Sequence, residues 1–165
     1  MWLYPDVQCR RQVMTGLILI LVILGVIAFF VMHGVRSEAA AIESAIREAT
    51  GKSTGELTKE DMEKVTELDL IANQLTNVKR LEELTQLRTL DLSENQISDV
   101  SPLKELTQLK KLDLTDNQIS DVGPLKELTQ LRELDLHNNP DLTMAQIDEL
   151  QKALPKCDIL SNPKE

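Results

Sequence analysis

LRTLDLSENQISDVSPLKELTQ, residues 87–108, runs directly into LKKLDLTDNQISDVGPLKELTQ, residues 109–130, and the two segments are nearly identical. The unit before them, VTELDLIANQLTNVKRLEELTQ at 65–86, keeps every apolar position, and LRELDLHNNPDL at 131–142 opens a fourth before departing from the pattern. Self-similarity at a fixed period marks stacked repeats, so each position can be read once for all units. Leu90 and Leu92 alternate with Thr89, Asp91 and Ser93, the period of a short strand with one buried face. Asn95 follows, with Asn73, Asn117 and Asn139 at the equivalent places. A stacked Asn offers both a donor and an acceptor to the backbone of its own coil and the next, which suits the turn where the chain leaves the strand. Ile97, Val100, Leu103 and Leu106 then recur every third residue, which fits a 3₁₀ return better than an α-helix. Pro102 and Pro124 are tolerated in the first turn of such a segment. One coil cannot bury its own leucines, whereas stacked coils share a continuous apolar column. The sequence therefore predicts an α/β solenoid, with parallel strands on a concave face and 3₁₀ turns on the convex back.

A stack has two open ends, and the flanks supply covers for them. Upstream, Ile42, Ala45, Ile46 and Ala49 fall on one helical face, Gly51 is a natural stop, and Thr58 with Asp61 begins a second short helix containing Met62. Downstream, Thr143 and Gln146 form a capping box ahead of a stripe of Met144, Ile147, Leu150 and Leu154, with Pro155 behind it. Cys157, Ile159 and Leu160 fit a last strand-like edge, in which Cys157 is a small buried hydrophobe.

Outside the repeat, residues 13–32 read VMTGLILILVILGVIAFFVM, with Thr15 the one polar interruption and no charge. A helix of that length covers about 30 Å, the hydrocarbon thickness of a bilayer. This apolar stretch is longer than the core of a cleaved signal peptide, and Cys9 precedes it, whereas a lipid-modified cysteine follows such a run. The pair Arg10 and Arg11 outweighs Arg36, which places the N-terminus in the cytoplasm and the bulk periplasmic or extracellular. The expected organisation is a short cytoplasmic tail at 1–12 and a transmembrane helix at 13–35. A juxtamembrane segment with a helical cap follows at 36–64, the repeats at 65–142, and a closing helix and tail at 143–165.

The pattern L-x-x-L-x-L-x-x-N-x-I-x-D-x-x-P-L-x-x-L resembles the 22-residue class of leucine-rich repeats, and it is similar to that of bacterial internalins and of eukaryotic phosphatase regulators. The upstream helices resemble the N-terminal cap of many bacterial members. The resemblance implies a protein-binding module with strands on its inner face.

Composition narrows the partner. The chain holds 18 basic and 27 acidic residues. With Asp6, Arg10 and Arg11 set aside, 16 and 26 remain from Arg36 onward, a net charge of −10. Nucleic acid and anionic lipid both demand basic surface and are excluded as partners of the folded part. All four aromatic residues, Trp2, Tyr4, Phe29 and Phe30, precede the repeats. The concave positions read Glu67, Asp69, Ile71; Thr89, Asp91, Ser93; Lys111, Asp113, Thr115; Glu133, Asp135, His137. Within them Asp69, Asp91, Asp113 and Asp135 form a ladder about 4.8 Å from rung to rung, where like charges repel by about 3 kcal/mol per pair at an effective dielectric near 20. Screening by water makes the aspartates tolerable, and raised pKa values, flanking Arg88, Lys111 and Arg132, or a bound cation or basic partner are the other ways to relieve it. His137 beside Asp135 lacks a nucleophile in its own coil and a glycine-rich oxyanion turn, so it reads as a surface histidine and the chain as no enzyme. The sequence calls for no cofactor and no metal. The expected function is capture of an unidentified protein with a basic surface. The alternatives are an assembly element driven by the membrane helix and a cytoplasm-facing regulatory scaffold.

Overall fold

The computed structural model describes residues 37–162. The cytoplasmic tail and the transmembrane helix expected over 1–35 lie outside the described residues, as do Arg36 and the last three positions. No helix among the described residues is long and apolar enough to cross a membrane. The described residues form one compact unit.

Its centre is a five-stranded parallel sheet in sequential order: β1 (Glu67–Asp69), β2 (Thr89–Asp91), β3 (Lys111–Asp113), β4 (Glu133–Asp135) and β5 (Asp158–Leu160). The register is the repeat itself, with Leu68 beside Leu90, Leu112 and Leu134, and Asp69 beside Asp91, Asp113 and Asp135. Three 3₁₀ segments, Lys79–Glu83, Ser101–Glu105 and Gly123–Glu127, return the chain, and the second and third carry proline in their first turn. The threefold spacing holds because each segment turns one leucine inward: Leu81, Leu103 and Leu125 are fully buried.

Between strand and return, Ala72, Glu94, Asp116 and Asn138 each take a positive φ near 55°. The asparagine that follows closes the turn. Asn95 accepts from the backbone N–H of Asn73 and Leu75 and donates to the carbonyls of Leu70, Leu92 and Ser93. Asn117 and Asn139 repeat the three donated bonds one and two coils on and each accept one backbone N–H, of Ile97 and Ile119. These three asparagines are buried, and no buried side-chain nitrogen or oxygen among the described residues lacks a partner.

The covers form as the flanks indicate, with two corrections. Helix α1 (Glu38–Thr50) starts at Ser37 and stops at Gly51 with φ 67°, and α2 (Lys59–Met62) starts on the Thr58–Asp61 capping box. Ala49 is exposed and Ala41 is buried in its place. A face one turn nearer the N-terminus packs on the first coil, since Gly51 turns the chain away just after Ala49. Helix α3 (Met144–Ala153) begins on the Thr143–Gln146 box. Met144 stands half exposed while Leu150 and Leu154 are buried, so the apolar stripe starts one turn later than its sequence spacing suggests. Cys157 is buried at the mouth of β5, and desolvation pushes its thiol up to about 11.

Candidate functional site

The strand period puts Leu68, Leu90, Leu112 and Leu134 inside and leaves their neighbours on the open face of the sheet. Over β2 to β5 that face forms a shallow groove of about 440 Å³. Its polar lining is Thr89, Asp91, Lys111, Asp113, Glu133, Asp135 and Asp158, and Leu160 closes one end. Of the residues expected from sequence, Glu67 and Asp69 lie on β1, outside the groove, and Ser93, Thr115 and His137 sit just past the strand ends.

The aspartate ladder resolves its repulsion in a way that the spacing did not suggest. Each carboxylate turns along its own chain and accepts the backbone N–H two residues on. Asp69 takes Ile71 at 3.0 Å, Asp91 takes Ser93 at 3.0 Å, Asp113 takes Thr115 at 2.9 Å and Asp135 takes His137 at 3.0 Å. The Ser93 hydroxyl donates to Asp91 at 2.7 Å, and His137 Nδ1 lies 2.7 Å from Asp135. At Asp135 partial burial raises the pKa. The hydrogen bonds from His137 and Thr115, with the His137 charge, overcome it, so the carboxyl lies below its ordinary value. This is opposite to the raised value considered for the ladder, because bonds and charge that favour the ionised form outweigh desolvation.

The flanking cations do not do the expected work either. Lys111 pairs with Glu133 at 2.5 Å. Arg132 donates to the backbone carbonyls of Gln130 and Leu131. No ion pair joins Arg88, Lys111 or Arg132 to the ladder among the described residues. Among the described residues the groove thus presents Asp91, Asp113 and Asp158 with no cation of their own, while Asp135 pairs with His137. Among the described residues no group of three or more His, Cys, Asp or Glu is arranged to hold a metal ion.

Sequence reasoning missed Asp158 and Leu160 as groove residues. Helix α3 replaces the fourth 3₁₀ return and adds three residues, so Asp135 pairs with Leu160, 25 positions on, and a 22-residue search stops short. The signal was present in Leu154-Pro-Lys-Cys157, which repeats the spacing of Leu128-Thr-Gln-Leu131 just before a strand.

A family model described as leucine-rich repeats in two copies matches residues 63–105 and 107–152. Among solved structures, an internalin C2 of Listeria monocytogenes matches at 27% identity with a TM-score of 0.68, covering 76% of this chain and 56% of that one. Another Listeria monocytogenes internalin matches at 27% identity and TM-score 0.56, covering 76% and 44%. A leucine-rich-repeat protein of Leptospira interrogans matches at 28% identity and TM-score 0.54, covering 63% and 28%. The chain therefore spans about half the length of the internalins it resembles, or less. No curated protein matches it.

Proposed function

We propose, since this chain belongs to the leucine-rich-repeat family, that it is a membrane-tethered binding module whose groove takes a protein partner with a basic surface. Leucine-rich-repeat proteins generally mediate protein–protein interactions. The observation that carries the reading is the charge of the groove: Asp91, Asp113 and Asp158 stand without a cation among the described residues, and the one lysine is already neutralised by Glu133. Complementary charge of this kind speeds encounter and rejects acidic competitors.

The tether rests on the sequence of residues 13–35, and the Arg10–Arg11 pair supports a cytoplasmic N-terminus with the repeats periplasmic or extracellular. A reporter fused after Glu165 tests the orientation, because it is active on one side of the membrane only. The binding reading is tested by affinity capture with the full chain and with an Asp91→Asn/Asp113→Asn double variant. Asparagine keeps the acceptor for the backbone N–H and removes the charge. A partner retained by the parent and released by the double variant supports the reading. Equal retention by both refutes it, and association that needs only residues 1–40 points instead to assembly through the membrane segment.

A further inference from the structure

The exposed face is not uniformly acidic. The aspartate column Asp91, Asp113, Asp135 ends, on β5, in Leu160. Leu160 lines the groove and is 48% exposed, one of three large hydrophobic residues exposed among those described. An apolar side chain thus stands in line with three carboxylates, one per rung, on a sheet face that no part of the described chain covers.

We infer that this column is the seat of a basic amphipathic helix lying along the stack, with a large apolar side chain on Leu160 and Lys or Arg on Asp135, Asp113 and Asp91. The inference rests on the binding function proposed above and specifies its partner. Rung spacing selects the helix. From Leu160 to Asp91 is three steps of about 4.8 Å, or roughly 14 Å. Helix positions i, i+3, i+7 and i+10 project along one side at about 0, 4.5, 10.5 and 15 Å, each within about 1 Å of a rung. An extended strand places same-face side chains about 6.7 Å apart and is out by nearly 6 Å at the fourth contact. A polyproline segment advances about 9.3 Å per turn and meets only alternate rungs. Charge sets the identity of three contacts, Leu160 that of the fourth, and in the adjoining column the Lys111–Glu133 pair leaves Asp158 as that column's one uncompensated charge within the groove.

The test uses the full chain in phosphatidylcholine nanodiscs, with empty discs as the blank, and two synthetic helical peptides of one composition. The first carries Leu at position 3 and Lys at 6, 10 and 13. The second distributes the same residues around the helix. The ordered peptide is expected to bind about tenfold more tightly, as three favourable contacts of a few tenths to one kcal/mol multiply to that order. Leu160→Ala is expected to weaken it about fivefold and Asp113→Asn about threefold, with little effect on the shuffled peptide. Equal affinity for both peptides, lost for both on Asp113→Asn, overturns the helix and leaves the acidic-face function standing. Binding of neither peptide to the folded chain removes both readings. A proline at position 8 that leaves affinity unchanged also overturns the helix. A dimer that forms without peptide and dissociates in the Asp113→Asn variant overturns it in favour of a second copy of this chain.

Discussion

Asn117 shows how much of the stack depends on single side chains. It is 4% exposed and joins three carbonyls and one N–H from two coils. Truncation to alanine leaves those backbone groups buried without partners, so Asn117→Ala is expected to cost about 3 kcal/mol in urea unfolding. The half-buried Asn73, which donates to the carbonyl of Ile71, is expected to cost about 1 kcal/mol on the same change. Equal losses at both positions refute this account of the column. Asp135 makes a different prediction. Its folded pKa lies below its unfolded value, so the charged form binds its donors more strongly in the native state. The stability it contributes is present above the ordinary aspartate pKa of about 4 and is lost as pH falls through the lower folded value. Asp135→Asn is therefore expected to flatten the acid limb of the stability profile below about pH 4, measured by thermal melts across pH. The asparagine column was legible from sequence because recurrence every 22 residues isolates it. The aspartates' hydrogen bonds were not. The spacing argument weighed charge between rungs, whereas the bonds that settle each carboxylate run along its own chain to residue i+2.

At the scale of elements, the ends of the stack decide what the repeat alone cannot. Leu70, Leu92 and Leu114 each donate to the carbonyl of Asp91, Asp113 or Asp135 in the next coil, and Leu136 finds the same acceptor in Leu160 on β5. The left-handed turn residues follow the same plan. Ala72, Glu94 and Asp116 donate to the carbonyls of Ser93, Thr115 and His137, but for Asn138 the described chain offers no further coil. Asn162 supplies its side-chain oxygen to that N–H at 2.6 Å and donates back to the side chain of Asn138 at 3.0 Å. One side chain thus stands in for the missing backbone rung. Asn162→Ala is expected to cost about 1 kcal/mol and to speed hydrogen exchange at Asn138 while leaving Asn73 unchanged. On α3, Gln146 completes the capping box at Thr143 and reaches the Ser120 carbonyl at 2.6 Å, fixing the helix to the third coil. The helices themselves were readable because capping residues and glycine stops are local signals. Ala49 and Met144 were misplaced because helical periodicity gives a stripe but not where along it the neighbouring coil begins to cover it.

Over the whole molecule, stability comes from one surface repeated. The leucines of each unit pack on those of the next, and the described core forms a single cluster from Ala41 to Cys157. In such a stack each coil touches only its neighbours, so the sum of coil and interface terms sets the total. An in-phase deletion of residues 89–110 joins Arg88 to Lys111 and restores the reading Leu-x-x-Leu-x-Leu across the junction. It removes one coil and one interface while preserving both covers. That variant is expected to fold, to melt in one transition at a lower temperature, and to show a denaturant slope reduced by about a sixth, in proportion to the surface lost. Deletion of residues 89–99 removes a comparable stretch of β2 and its turn but brings Val100 where a strand should start. The second deletion is shorter, so an argument from chain length alone ranks it as the milder change. Nearest-neighbour packing ranks it as the worse one, because the half-unit left behind has no strand to join the sheet and breaks the shared column between the coils on either side. Circular dichroism and urea melts on the two variants separate these views: loss of cooperative folding in the in-phase variant, or its retention in the half-unit variant alone, refutes the stacked column as the source of stability.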